Sequence, residues 1–243
     1  TMEYYQSDEY RNAYNETSSP SDYIEMHDNE QPSRLDRIGA TFFRDKIVLD
    51  FGCGGGAFLD LVSGLSRETL GIEPFSGYHE SLIDRGHEMF SNMETAQSKY
   101  KDKVDSIVSF CVLEHVQNPQ QYLKDACSLL KKSGKMYLET DNIHNILMKF
   151  NINSFDEFFY RTAHLYYFED KTLRKMAEQA GFSDIRISFR HNYDMSNVML
   201  WLRDNKPTGN GKLDFLSNGV DQNWIEFVES SGLADLVCIE MTK

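Results

Sequence analysis

The sequence is poor in several features that would define other classes of protein. Its 243 residues include four cysteines, none in a CxxC pair, so neither a disulfide framework nor a zinc knuckle is indicated. Apolar stretches such as 57–62 are far shorter than the roughly 20 residues that a membrane span needs. The first residues also lack the basic and apolar regions of a secretory signal peptide. We therefore expect a cytoplasmic protein with no membrane partner.

Positive charge is scarce as well. The 25 lysines and arginines face 38 aspartates and glutamates, which gives a formal net charge of −13. Because nucleic acids and anionic lipids bind proteins mainly through basic side chains, nucleic acid is a disfavoured partner. The length and the 40% content of hydrophobic residues instead fit a globular chain with a sizeable core. The sequence carries no signal for the oligomeric state.

Apolar strands alternate with amphipathic helices along most of the chain. Strands are predicted over 46–51, 69–72, 104–110, 135–139, 184–189 and 236–241, with a further short strand before 104. Helices are predicted over 57–65, 81–90, 119–130, 171–180 and 222–229. This alternation predicts an α/β fold with a doubly wound, mostly parallel, seven-stranded Rossmann-like sheet.

Three segments depart from this alternation. Residues 1–33 are rich in tyrosine and acidic residues and are interpreted as an N-terminal arm or lid that precedes a single domain over 34–243. Residues 142–168 hold many aromatic residues and are interpreted as an inserted cap, and 192–212 is predicted to be irregular. Long irregular stretches in a compact domain are commonly functional, so we expect the three segments to form one wall around a substrate.

A glycine loop follows the first strand and opens the next helix. Gly52 and Gly54 allow a ligand to approach the main chain at the helix N-terminus. Glu73 closes the second strand 23 positions after Asp50, where a carboxylate can accept both hydroxyls of a ribose. The glycines also satisfy the dinucleotide fingerprint G-x-G-x-x-G/A. Asp50 beside the loop would repel a pyrophosphate, however, and favours a cationic adenosine ligand such as S-adenosylmethionine. A purely structural glycine turn would leave both carboxylates unexplained.

Three motifs in order carry a family resemblance. The segments VLDFGCGGG (48–56), LGIEP (70–74) and FCVLEHV (110–116) resemble those of the class I S-adenosylmethionine-dependent methyltransferases, and the likeness covers about residues 45–190. The segment HLYYF (164–168), followed by 173–182, is similar to the branch that methylates small metabolites, including sugar precursors.

This resemblance implies S-adenosylmethionine as the cofactor and a set of residues that bind it. The methionine end is expected on Asp50, Gly52 and Gly54, and the ribose on Glu73. The adenine is expected near Pro74, Met93 and Glu94, although residues 89–94 lack the Gly-Asp-Ala sequence common in the superfamily. Cys53, Phe110 and Cys111 complete the expected cofactor site.

The acceptor is expected to be a small molecule, methylated on oxygen, and to be a sugar or a nucleotide-linked sugar. A hydroxyl acceptor needs a general base, and the candidates are His164 in the aromatic segment and His115 after the fourth strand. A packing or capping role is the alternative for each. Further acceptor contacts are expected from Arg11, Tyr14, His144, Tyr160, Arg161 and Asn197.

Two other interpretations of the chain remain open at this point. One is methylation of a macromolecule, either protein or RNA, which the acidic charge disfavours for RNA. The other is a non-catalytic module that binds S-adenosylmethionine. No metal is expected, because the histidines show neither HxH nor HExxH spacing and a site would have to be assembled from distant segments.

Overall fold

The computed structural model describes residues 19–207, 209, 211–216 and 218–243, except for the side chain of Asn218. The strands are β1 (Ile47–Phe51), β2 (Glu68–Ile72), β3 (Glu88–Phe90), β4 (Val104–Phe110), β5 (Leu130–Asp141), β6 (Ser183–Arg190) and β7 (Leu236–Thr242). The helices are α1 (Pro20–His27), α2 (Gln31–Ile38), α3 (Ala57–Ser63), α4 (His79–Asp84), α5 (Met93–Tyr100), α6 (Pro119–Leu129), α7 (Asn153–Phe159), α8 (Asp170–Ala180), α9 (Met195–Asp204) and α10 (Asn218–Ser230). Within this part of the chain, no helix has the length and apolar character needed to cross a membrane.

The seven strands form one sheet in the order β3-β2-β1-β4-β5-β7-β6. Strands β1 to β5 pair in parallel, whereas β7 is antiparallel to both β5 and β6. The predicted doubly wound, mostly parallel, seven-stranded sheet is thus confirmed. The strand order reverses between β1 and β4, and ligands of open α/β sheets bind at such a switch point, beyond the carboxyl ends of the strands.

Helices cover both faces of the sheet, and the strand side chains alternate between two cores. Leu49 and Ile107 lie in the larger cluster, whereas their chain neighbours Val48 and Val108 lie in the cluster on the opposite face. All four side chains are fully buried. Because successive side chains of a strand point to opposite faces, an almost wholly apolar strand is buried on both. The central strands are therefore rigid supports for the loops beyond their carboxyl ends.

Two predicted elements differ from the structure. The helix predicted over 81–90 ends at Asp84, because Gly86 takes a left-handed backbone conformation with φ +93° and the chain then enters β3. The segment 192–212, predicted to be irregular, contains α9. The Asp194 side chain caps this helix by accepting the Asn197 N–H at 3.1 Å, and Trp201 is buried in a third cluster with residues of 146–159. Tertiary packing thus forms a helix that the local pattern did not indicate.

A buried ionic network fastens α2 to the sheet. Glu139 lies near the carboxyl end of β5 with no solvent exposure, and its Oε2 accepts from Arg34 Nε of α2 at 3.3 Å and from Arg190 Nη1 of β6 at 2.8 Å. Its other oxygen accepts from the Tyr137 hydroxyl at 3.2 Å. A buried carboxylate is tolerated only when it is paired and hydrogen-bonded, as here. Glu139 therefore fixes the end of the N-terminal arm on the domain.

We predict that Glu139→Gln lowers the free energy of unfolding by about 3 kcal/mol, because two buried guanidinium groups lose their counter-charge. The matched control is Glu240→Gln on β7, whose partner Lys135 lies 2.7 Å away in a partly exposed pair. The control substitution should lower the free energy of unfolding by about 0.5 kcal/mol or less. Urea denaturation measures both changes, and equal losses for the two variants would contradict a special role for Glu139.

Candidate active site

The loop after β1 passes close to two neighbours that leave no room for side chains. Gly52 and Gly54 have φ of +78° and +52°. A Cβ atom at Gly52 would strike the Val112 side chain, and one at Gly54 would strike the ring of Tyr23. The loop then opens α3 after Gly56, so the backbone N–H groups of the first helical turn face the carboxyl edge of the sheet. The loop has the form of a ligand cradle.

Asp50 lies at the end of β1 and is almost completely buried. Its Oδ1 has no hydrogen-bond partner among the described residues. Burial raises the pKa of this carboxyl to about 7; the charge of Arg34 acts to lower the pKa, and the charge of Glu73 acts to raise it. Burial of a hydrogen-bond acceptor that receives no hydrogen bond destabilises the protein. The ammonium group of a ligand would supply both the missing donor and the missing counter-charge, so the site fits S-adenosylmethionine.

Glu73 is held rigidly beside the same loop. Its Oε2 accepts the Gly54 N–H at 3.1 Å and its Oε1 accepts the Phe75 N–H at 2.8 Å. Carboxylate oxygens accept hydrogen bonds from hydroxyl groups. This geometry suits the predicted ribose contact, which stays a prediction.

Tyr23 is a site residue that the sequence did not single out. It projects from α1, and its ring lies on Gly54 and Gly55 and packs against Tyr78, with ring centroids 5.4 Å apart. The signal for α1 is Ser19, whose side chain accepts the Asp22 N–H, followed by a proline in the first turn. The arm thus reaches the predicted cofactor site through Tyr23, whereas Arg11 and Tyr14 lie outside the described residues.

The remaining predicted cofactor residues differ in burial and position. Cys53 is buried in the cluster of Leu59, Tyr78 and Leu82. Met93 is half-buried at the start of α5, and Glu94 is exposed. Pro74 directly follows Glu73 beyond β2. Their contacts to an adenine stay predictions.

Phe110 and Cys111 lie where β4 ends. The Arg34 guanidinium lies 4.3 Å from the centre of the Phe110 ring, on the face of the sheet that α2 covers. Cys111 has φ +55°, its N–H donates to the Glu139 carbonyl at 2.9 Å, and burial raises the pKa of its thiol. Both residues therefore shape the chain turn at the switch point, and their cofactor contacts stay predictions.

The structure brings together the two histidines predicted as candidate bases. Their ring centroids are 4.8 Å apart in an edge-to-face arrangement. His115 Nδ1 lies 3.1 Å from the Ala163 carbonyl, and His164 Nδ1 lies 2.9 Å from Asp141 Oδ2. Burial, together with the charge of the neighbouring His164, lowers the pKa of His115 to about 4. Since a base of such low pKa accepts protons poorly at neutral pH, His164 is the better candidate.

Asp141 and Glu114 are the acidic groups at this pair, and neither was predicted as a site residue. Asp141 is the last residue of β5. An acidic residue at the carboxyl end of a parallel strand is a sequence signal for a site residue, and that signal was missed here. Glu114 is wholly buried, and its Oε2 accepts the Thr140 hydroxyl at 2.8 Å. Burial raises the pKa of Glu114 to about 8, and the charge of Asp141 contributes to this rise.

Arg161 lies near the histidine pair, on the exposed side of the aromatic segment. Its guanidinium stacks 4.7 Å from the centre of the Phe158 ring, and its charge acts to lower the pKa of His115. Desolvation of the Tyr193 hydroxyl raises its pKa to about 12; Asp235 acts in the same direction and Arg161 in the opposite one. Glu30 and Asp141 also act on Tyr193. Charged residues of the first and second unusual segments, Glu30 and Arg161, are thus near enough to act on Tyr193 of the third.

The other predicted acceptor residues lie in different surroundings. Tyr160 is exposed, with its ring 5.1 Å from that of Tyr167. His144 is exposed as well, and its Nε2 lies 3.4 Å from Glu169, apart from the histidine pair. Asn197 is buried, and its side-chain amide donates to the Gly209 carbonyl at 3.1 Å. Asn197 thus holds a loop against α9, and the acceptor contacts of all three residues stay predictions.

Comparisons with known proteins find similarity to methyltransferases. Residues 24–187 match the family model that is described as a methyltransferase domain. The ubiquinone biosynthesis O-methyltransferase of Yersinia enterocolitica is 31% identical over 125 residues, which are 46% of this chain and 50% of that protein. The protein of the same name from Aeromonas salmonicida is 30% identical over 122 residues, which again are 46% of this chain and 50% of that protein. The chain thus spans about half the length of these curated relatives.

Solved structures with low sequence identity share the fold. A SAM-dependent methyltransferase from Archaeoglobus fulgidus superposes with a TM-score of 0.62 at 20% identity, over 96% of this chain and 98% of that one. Phosphoethanolamine N-methyltransferase 2 of Haemonchus contortus, solved with S-adenosylhomocysteine, has a TM-score of 0.57 at 15% identity, over 88% of this chain and 52% of that one.

We predict that affinity for S-adenosylhomocysteine rises with pH through neutrality. The pKa of Asp50 is raised to about 7, so the carboxyl is protonated below pH 7 and ionised above it, and a ligand ammonium binds only the ionised form well. Calorimetric titration should show affinity about tenfold higher at pH 7.5 than at pH 5.5. Asp50→Asn should bind more weakly and lose most of this slope. The control is Asp84→Asn, an exposed acid on α4, which should keep the wild-type profile. A wild-type slope in Asp50→Asn would refute the assignment.

Proposed function

The chain belongs to the methyltransferase domain family, of the class I S-adenosylmethionine-dependent type, and from this premise we propose that it methylates a hydroxyl oxygen of a small acceptor. The observation that carries the proposal is the contact between His164 and Asp141 at the carboxyl end of β5. This pair lies on the same edge of the sheet as Asp50 and Glu73, which close β1 and follow β2. A proton acceptor and a cofactor site thus share one edge.

The cofactor side of the site is built for a cation with a ribose. Asp50 offers the unsatisfied acceptor for an ammonium, and Glu73 offers two fixed carboxylate oxygens. When bound, S-adenosylmethionine supplies a methyl group on a positively charged sulfur, which leaves as a neutral thioether when a nucleophile takes the methyl. The protein then has to position the acceptor, exclude water and remove the acceptor's proton.

His164 is proposed to remove that proton. His164 Nδ1 lies 2.9 Å from Asp141 Oδ2, so Nε2, on the other side of the ring, is the nitrogen proposed to accept the proton. Asp141 also stabilises the imidazolium that forms when the hydroxyl proton is transferred. The acceptor oxygen gains the methyl group as it loses its proton to His164, so the neutral hydroxyl becomes a neutral ether.

The acceptor class is narrowed by the surface around this pair. Tyr160 and Tyr166 of segment 142–168 and Tyr193 of segment 192–212 are exposed, and aromatic rings pack well on planar or ring-shaped ligands. The curated relatives are named for O-methylation in ubiquinone biosynthesis, which favours a hydroxylated aromatic ring over the sugar expected from sequence. We therefore propose a small hydroxylated ring compound, and keep nucleotide-linked sugars as the second class to assay.

The rival functions are less well supported. An RNA acceptor would have to bind a chain of formal charge −13, and a non-catalytic module would not need a histidine oriented by a carboxylate. The cytoplasmic location stays a prediction from composition, as does the absence of a nucleic-acid partner.

We predict that His164→Gln lowers turnover by roughly 10²- to 10⁴-fold, the usual contribution of a positioned base, and leaves S-adenosylhomocysteine affinity unchanged. The assay measures S-adenosylhomocysteine release with a panel of phenols, catechols and nucleotide sugars. The control is Glu178→Gln, an exposed residue on α8 outside the predicted site, which should keep turnover within about twofold. Full turnover of His164→Gln, with an acceptor that the wild type methylates, would exclude His164 as the base.

A further inference from the structure

The same edge carries a cluster with the composition of a metal centre. We propose that Glu114, His115 and His164 form a binding site for one divalent transition-metal ion of the Zn²⁺ class, and that a bound ion prevents His164 from acting as the base. The ligand atoms of the three side chains all lie within 4.8 Å of one another. One carboxylate and two imidazoles form a donor set that zinc accepts. The second half of the proposal rests on the proposed function, whereas the first half does not.

The outer contacts of both histidines match those of metal-bound imidazoles. A ligating histidine usually turns its second nitrogen to a backbone carbonyl or a carboxylate, which fixes the ring and its tautomer. His115 Nδ1 lies 3.1 Å from the Ala163 carbonyl, and His164 Nδ1 lies 2.9 Å from Asp141 Oδ2. Coordination through Nε2 of each ring would keep both of these contacts.

Glu114 supplies the charge of the site. Its carboxyl group is 1% exposed, and its one side-chain hydrogen bond among the described residues comes from the neutral Thr140 hydroxyl on Oε2. A carboxyl group buried so deeply is stabilised either by a proton or by a cation. The Thr140 hydroxyl takes one lone pair of Oε2, so the carboxylate keeps acceptor capacity for an ion. A divalent ion beside two imidazoles is a stabilising partner of this kind.

The backbone holds the two ligand-bearing segments together. The Glu114 carbonyl accepts the N–H of Leu165 at 2.8 Å and that of Tyr166 at 3.3 Å. These bonds lie directly beside the ligands, so the loop after β4 and the aromatic segment are clasped where the site is formed. No spacing signal marks this site along the chain, because its members come from two distant segments.

The chemistry of the donor set decides which ion is bound and how that ion affects catalysis. Imidazole nitrogens favour zinc and its neighbours in the first transition row over Mg²⁺, which prefers oxygen ligands. The Nε2 lone pair of His164 can take either a metal ion or a proton. An ion at this site therefore occupies the atom on which the proposed base function depends, and the ion and the acceptor proton compete.

The test is a calorimetric titration of the chelator-stripped chain with ZnCl₂, with no cofactor or acceptor present. We expect one zinc ion per chain and no binding of Mg²⁺ at equal concentration. Glu114→Gln and His164→Gln should each weaken zinc binding at least tenfold, and Asp141→Asn by about 10- to 100-fold through loss of the outer contact. The control His144→Gln should bind as the wild type does. Unchanged S-adenosylhomocysteine affinity verifies that each variant is folded.

Turnover measured during the same titration tests the second half of the proposal. Zinc should suppress methyl transfer in proportion to site occupancy, and a chelator should restore it. No zinc binding, or zinc binding indifferent to Glu114→Gln and His164→Gln, would overturn the site. Zinc binding that leaves turnover unchanged or raises it would overturn the competition. Because binding is measured without acceptor, the metal site is judged separately from the proposed function.

Discussion

The carboxylate of Glu139 is the fixed point around which the carboxyl edge of the sheet is arranged. It binds Arg34 of α2 and Arg190 of β6 near the carboxyl end of β5. Arg34 in turn lies over Phe110, and its charge reaches Asp50. One buried ion network thus ties the fold of the arm to the electrostatics of the cofactor loop. The stability of the domain and the state of its binding site share a single group of charges.

The edge itself is strongly acidic, and the fold explains why. Parallel strands deliver their last residues to one side of the sheet, and here Asp50, Glu73, Glu114 and Asp141 all close or follow such strands. Their charges act on one another: Glu73 raises the pKa of Asp50, and Asp141 raises that of Glu114. Acids held together in this way share protons or bind cations. The site is therefore prepared for positively charged partners, either an organic cation or a metal ion.

The sequence was informative where local pattern decides structure. The alternation of strands and helices predicted the seven-stranded sheet, because central strands buried on both faces are continuous apolar runs. The glycine loop also indicated that Asp50 and Glu73 lie close together, and both are found beside that loop. The features that the sequence did not show depend on contacts between distant segments. Tyr23 reaches the loop from the arm, Asp141 meets His164, and α9 forms because Trp201 finds a core. The spacing of residues along the chain does not predict such long-range contacts.

The placement of β7 has a consequence for the order in which the chain acquires its structure. In the described part of the chain β6 pairs only with β7, and β7 is the strand that joins it to β5. During synthesis, β6 therefore leaves the ribosome before the strand that connects it to the sheet. Until residues 236–242 emerge, both of its edges are open to water, to proteases and to strands of neighbouring chains. The parallel half of the sheet can assemble earlier, since all its strands precede residue 142. Translation speed over residues 191–242 thus governs how long the edges of β6 stay unprotected.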